Sequence, residues 1–347
     1  MDMNWHQALQ ESLSWLAIAS FITLIGFTLC ATLAVRYTRW GGQFWQLAGP
    51  YFTFRRSWRP LLVFAALLVL TLFSVRMNVL FSFWYNGFYS ALQALDQTAF
   101  WYLLGVFAVL ATLHVLRSLL TFYVTQAFSI RWRVWLTERL TSDWMHGDAY
   151  YRGQFLAEPV DNPDQRIELD VNAFVSNSVS LALGAVSALV SLVAFTGILW
   201  GLSAPLAVAG VEIPRAMVFA VYVYVLIATW IAFRLGRPLI RLNFLNEKLT
   251  ANFRYALMRL RENAENVAFY QGAPVERATL LGRFGALIIN VWALVFRNLK
   301  FSGFNLGVSQ VAVVFPFILQ APRFFSGAIK LGAVSYTHLR AHETRGN

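Results

Sequence analysis

Six stretches of this sequence are long and apolar enough to cross a bilayer. They run over Leu13–Val35, Leu61–Phe81, Trp101–Val124, Val179–Leu202, Ala216–Phe233 and Phe304–Ala321, and none contains an Asp or Glu. A hydrocarbon core of roughly 30 Å needs about 20 such residues per helix. Inside lipid every backbone amide must be satisfied within its own segment, so each stretch is restricted to a helix. The first is not expected to be a cleaved leader, because it is too long and no Lys or Arg precedes it. Across 347 residues, 58% are hydrophobic and 13% charged, too few polar groups to cover the surface of a soluble fold. That balance excludes disorder, a nucleic-acid-binding domain and most soluble enzymes. The single cysteine, Cys30, excludes a disulfide framework, and no Cys/His spacing suits a metal. The expected fold class is an all-α polytopic membrane protein.

The net charge of +11 is unevenly placed. Arg36, Arg39, Arg55, Arg56 and Arg59 lie between the first and second stretches, and none lies between the second and third. Arg131, Arg133, Arg139, Arg152 and Arg166 follow the third, and Arg215 alone follows the fourth. Ten cations, from Arg237 to Lys300, follow the fifth. The positive-inside rule makes the first, third and fifth connections cytoplasmic and the N-terminus external. Apolar residues continue at helical spacing beyond the bilayer limits, as Trp132, Trp135, Leu136 and Leu140, and again as Leu245, Leu249, Phe253, Leu257 and Leu260. This pattern predicts membrane helices that extend into the cytoplasm as two helical hairpins. The aromatics Trp84, Tyr85, Phe88 and Tyr89 suit an interfacial belt at the outer end of the second stretch.

Two motifs mark the hairpin tips. In Asn162-Pro163-Asp164-Gln165-Arg166-Ile167, Asn162 suits a helix N-cap, Pro163 the first helical position, and Gln165 a capping box. Asp164 sits where a helix dipole favours an anion. The alternative is a plain turn. In the second hairpin, Glu262, Glu265 and Phe269 fall at i, i+3 and i+7 of one helical face, ahead of Tyr270, with Gly272 and Pro274 as helix stops. That face suits a basic, apolar groove on a partner; its alternative is a solvated face. Within the spans the ionisable groups are Arg76, His114 and Arg117, candidates for a cationic cavity wall that takes anionic or amphipathic cargo. Snorkelling arginines and a structural histidine are the competing readings.

The two tip motifs, in this order, resemble the transmembrane domain of ABC transporters. The nearest branch contains the peroxisomal fatty-acyl transporters, bacterial fused permease/ATPase proteins and the SbmA/BacA peptide-uptake family. The segment Phe44-Trp45-Gln46-Leu47-Ala48-Gly49-Pro50-Tyr51 resembles the amphipathic elbow before that domain's first core helix. The resemblance runs from about residue 44 to 332. It implies a type 1 exporter-like helical bundle with residues 1–43 as an extra N-terminal membrane helix and linker. Five of six core helices precede residue 333, and 333–347 is expected to be non-native, since Ser335–Asn347 resembles a translated adapter read-through. It also implies that Asn162, Pro163, Asp164, Gln165, Arg166, Glu262, Glu265, Phe269, Tyr270 and Gly272 couple the chain to an ATPase.

No Gly-x-x-x-x-Gly-Lys-Ser/Thr segment occurs in the chain, so ATP and magnesium are expected on a nucleotide-binding domain fused C-terminally in the full-length protein. The other implied partners are the lipid bilayer and a second copy of the chain, in a bacterial inner membrane; no nucleic-acid partner is expected. The rival function is a proton-driven peptide importer that uses His114. A membrane enzyme or scaffold is disfavoured, because no nucleophile–base or His/Asp/Glu cluster is visible.

Overall fold

The computed structural model describes residues 5–53, 58–155, 166–202, 206–208, 211–213 and 216–325. Six of its helices are long and apolar enough to cross a membrane, and they coincide with the six apolar stretches. The chain is an all-α polytopic membrane protein, with one short hairpin that the sequence reading did not anticipate. It divides into two units, one up to Gly201 and one from Leu202 onward.

In the first unit, helix α1 (Trp5–Tyr37) leads into the elbow helix α2 (Arg39–Ala48) and a 3-10 turn, Gly49–Tyr51. Thr38 makes the joint. Its hydroxyl donates to the Ala34 carbonyl at 2.6 Å and accepts from the Gly41 amide at 3.1 Å, ending one helix and capping the next. Gly41 is required there, because a Cβ would fall on the Ala34 carbonyl. Gly41→Ala is therefore expected to displace backbone and lower the thermal midpoint. Gly42→Ala, whose Cβ would sit 3.8 Å from the Val35 oxygen, should not. Matched melting curves of the two variants check this.

Helices α3 (Arg59–Gln93) and α4 (Gln97–Met145) form an antiparallel hairpin. At 49 residues, α4 is about 74 Å long, well beyond the bilayer core. The turn between them ends α3 with Leu95 left-handed at φ 54°, while the Asp96 amide reaches back to Ala91 O and the Leu95 amide to Leu92 O. Asp96 then caps α4 through the Ala99 amide at 3.0 Å. Trp84 is a core residue of this hairpin, not part of an interfacial belt. It is buried, its indole N–H donates to Leu103 O at 2.6 Å, and its ring stacks on Phe88. A uniformly apolar helix gives no period from which to read which side packs inward.

Short turns follow α4, namely α5 (Ala149–Arg152) and Gly153–Phe155. A π-helical turn, Arg166–Asp170, opens into α6 (Val171–Leu202). The main core of this unit lies where the elbow meets the α4 extension and the start of α6. Ala48, Leu67, Phe128, Trp132, Leu136, Val171, Val175 and Val179 are buried together there. The Tyr51 ring stacks on Trp132 at 5.7 Å, and Phe52 meets the same indole edge-on at 5.3 Å. The apolar extension Trp132–Leu140 thus exists to receive the elbow. Arg139 completes the joint. Its guanidinium donates to the Gln46 and Leu47 carbonyls at the end of α2, 3.4 Å each, and lies over Trp135. Burial raises the Tyr51 phenol pKa, with Arg131 opposing. The stabilising neutral phenol is fully present below pH ~10 and is lost as pH rises through the raised value.

The second unit opens with a hairpin of β1 (Leu206–Val208) and β2 (Val211–Ile213), paired Leu206↔Ile213. Next come α7 (Ala216–Glu262), the short α8 (Ala264–Phe269) and α9 (Ala273–Phe325). Helices α7 and α9 pack antiparallel along most of their length. A series of polar rungs joins them. The Tyr224 hydroxyl donates to Val308 O, Arg297 Nε to Leu235 O at 2.9 Å, Asn290 to Leu242 O at 3.1 Å, and Arg283 to Asn252 O at 3.1 Å. Three of these rungs are α9 side chains on α7 backbone carbonyls. The Phe253 and Phe284 rings meet at 5.3 Å.

Candidate functional site

The tip of the second unit differs from one continuous helical face. Helix α7 ends at Glu262, Asn263 interrupts with φ −107° and ψ 21°, and α8 begins at Ala264. Glu262 therefore belongs to the long helix, while Glu265 and Phe269 belong to the short one. The Asn263 side-chain amide turns back to Arg259 O at 2.9 Å, away from an N-cap role.

The end of α8 is also built differently from the sequence expectation. Gln271, not Gly272, is the left-handed residue, at φ 52°. The Gly272 amide reaches Val267 O at 2.9 Å and the Gln271 amide reaches Ala268 O at 3.2 Å, a pair that ends a helix. The Gly272 carbonyl then accepts from Val275 and Glu276, so this residue starts α9, and Pro274 sits in that helix's first turn. A Cβ on Gly272 would meet only Val267, at an ordinary 3.7–3.8 Å. Gly272→Ala is accordingly expected to leave the melting temperature near that of the parent. Gln271→Gly, by relieving a left-handed side chain, should stabilise by about 1 kcal/mol. Denaturation of both variants measures this; the reverse order would refute the assignment of the turn.

Glu276 pairs with Arg259 at 3.3 Å across the base of the tip. Phe269 and Tyr270 extend beyond it, 80% and 77% exposed, their rings edge to face at 5.2 Å. The tip therefore presents two adjacent aromatic rings and the Glu265 carboxylate on a short helix held between two long ones.

The first tip lies mostly outside the described residues. Asn162, Pro163, Asp164 and Gln165 are among those left undescribed, and Arg166 begins the π-helical turn.

The candidate cavity residues divide between two settings. Arg76 engages α1. Its Nε donates to Ser12 Oγ at 2.9 Å and its guanidinium lies 5.7 Å from the Trp15 ring centre. The His114 ring packs edge-on against Phe81 at 5.6 Å. Its Nδ1 and the Nε of Arg117 are buried without hydrogen-bond partners among the described residues. His114 and Arg117 are one helical turn apart on α4 and so share a face. No group of three or more His, Cys, Asp or Glu converges as a metal site among the described residues.

Six long apolar helices, with a short solvent-exposed helix carried at the joint of two of them, define a multi-pass membrane permease domain. Residues 47–325 match the family described as ABC transporter transmembrane region 2, and the chain belongs to that family. It is 47% identical over 335 residues to an ABC transporter ATP-binding protein of Haemophilus influenzae, covering 96% of this chain and 57% of that protein. It is 34% identical to the chloroplastic ABC transporter D family member 2 of Arabidopsis thaliana, over 84% of this chain and 40% of the relative. It is 30% identical to the inner membrane ABC transporter ATP-binding protein YddA of Escherichia coli, over 83% and 52%. The chain thus spans about half the length of these relatives. The family match begins after α1, which is an addition to it.

Three structural features of this region are not legible in the sequence. Gln271 was hidden beside a glycine that drew the helix-stop reading. The Arg259–Glu276 pair lies 17 residues apart, across a loop whose geometry no periodicity reveals. Arg297 is one of ten cations between residues 237 and 300, and nothing in its spacing sets it apart.

Proposed function

We propose that this chain is the membrane-spanning half of an ATP-driven transporter that works as a homodimer. Its α8 tip docks on a nucleotide-binding domain. ATP and magnesium belong to that domain, because this chain contains no phosphate-loop segment to cradle a nucleotide. The observation that carries the reading is the exposed pair Phe269 and Tyr270 at the end of α8, since exposed aromatics of this kind are typical anchors of a protein interface. The Asn162–Arg166 element supplies the second contact. Closure of the ATPase domains would move both tips and switch the helices between inward- and outward-open arrangements, a rigid-body alternation.

The alternating cation count supports a cytoplasmic location for both tips and an external N-terminus. The likeness to an inner membrane protein of E. coli supports the same membrane here. His114 and Arg117, with unpaired buried nitrogens, suit the anionic end of an amphipathic, acyl or peptide-like cargo.

The test is a cysteine at position 269, with Cys30 replaced by serine, in the full-length protein. Cross-linking to the ATPase portion that changes with ATP and vanadate is expected. A cross-link that never forms, in a protein that still hydrolyses ATP, refutes the assignment.

A further inference from the structure

We infer that the cleft between α7 and α9 at Pro238 is a binding site for the phosphate of an anionic phospholipid. This rests on membrane embedding alone, and so stands independently of the coupling to an ATPase. The cleft has a volume of about 450 Å³ and is lined by Pro238, Arg241, Leu245, Phe296, Arg297 and Lys300, among others. Three of its eight lining residues are cations and none is an acid. No carboxylate occurs on α7 before Glu247 or on α9 after Glu276. Arg241 and Lys300 have no ion-pair partner among the described residues.

A general excess of cations on one side of the membrane accounts for their number but not for this arrangement. Pro238 has no amide N–H, so the Arg234 carbonyl one turn earlier loses its helical partner. Arg297 occupies that position, with Nε on Leu235 O at 2.9 Å and Nη2 on Arg234 O at 3.5 Å. The proline thus fixes a guanidinium at the wall of the cleft, and Arg241 and Lys300 complete a cationic cup around it. The depth fits a headgroup. One turn above Arg234, Trp230 is exposed and carries the Arg234 guanidinium 5.7 Å from its ring centre, the pairing of aromatic and cation found at a bilayer interface. Exposed Phe233 and Leu299 offer apolar surface to acyl chains nearby. Basic pockets between membrane helices at this level select anionic headgroups.

The experiment is native mass spectrometry of the purified chain with phosphatidylglycerol and with phosphatidylcholine of the same acyl composition. Phosphatidylglycerol is expected to be retained preferentially. Each interfacial cation is worth about fivefold in affinity, so Arg241→Ala with Lys300→Ala should weaken phosphatidylglycerol binding about 25-fold and leave phosphatidylcholine unchanged. Arg277→Ala, an exposed cation at the start of α9 and far from the cleft, should do nothing. Equal retention of the two lipids, or retention unaffected by the double variant, overturns the proposal. So does displacement of phosphatidylglycerol by millimolar inorganic phosphate, which would assign the cup to a soluble anion. If the double variant does not fold, a headgroup-photoreactive phosphatidylglycerol on the parent chain decides. Labelling within 238–245 and 293–300 supports the site, and labelling confined elsewhere refutes it.

Discussion

Replacing Phe269 and Tyr270 together by alanine in the full-length transporter should separate ATP hydrolysis from movement of the membrane helices, at no cost in stability. Both rings are largely exposed and contact mainly each other, so their removal opens no cavity in this chain. At an interface the same rings would be central anchors. Aromatic anchors of this kind cost 2 kcal/mol or more on truncation, and losing two should reduce coupling at least tenfold. The readout is the accessibility of a single cysteine at Ser118, exposed on α4 one turn after His114, to a membrane-impermeant reagent, measured with and without ATP. Hydrolysis should persist while the ATP-dependent change in labelling disappears, with melting curves superimposed on the parent. A variant that retains the full labelling change would show that α8 is not where the ATPase acts. Glu265→Lys should weaken coupling in the same direction, because it reverses the one charge on α8.

Trp132→Ala should be among the most destabilising single substitutions in the first unit, costing about 3–5 kcal/mol. The indole is 2% exposed and touches Tyr51, Phe52, Phe128 and Phe174. Its loss leaves a cavity between the elbow, α4 and α6 that three separate elements would have to collapse to fill. Trp292→Ala on α9, where the ring is 57% exposed, is the matched control and should cost far less. Equilibrium unfolding in detergent compares them, and equal losses would mean that the elbow does not depend on this core.

The membrane architecture was legible because lipid imposes a simple rule, and Leu13–Val35 or Trp101–Val124 can satisfy it only as helices. The extensions were legible too, since Trp132, Leu136 and Leu140 repeat at a helical period beyond the length a bilayer requires. What failed to show was local breakage. Glu262 through Phe269 has an unbroken helical pattern, and the interruption at Asn263 comes from backbone geometry that no side chain there announces. The strands around Leu206 and Val211 are three residues each, too short for alternation to register. Arg76 could be recognised as costly in lipid, but its partners Ser12 and Trp15 lie on a separate helix, 64 and 61 positions away, which spacing along the chain cannot supply.

The polar rungs between α7 and α9 have a mechanical consequence. Two helices clamped at Arg259–Glu276, Arg283–Asn252, Asn290–Leu242, Arg297–Leu235 and Tyr224–Val308 resist bending as a braced beam does, because neither can slide past the other without breaking several bonds. From Arg259 to Tyr224 the beam is about 52 Å long at 1.5 Å per residue. A partner that displaced α8 would therefore move the two helices as a pair rather than slide one along the other.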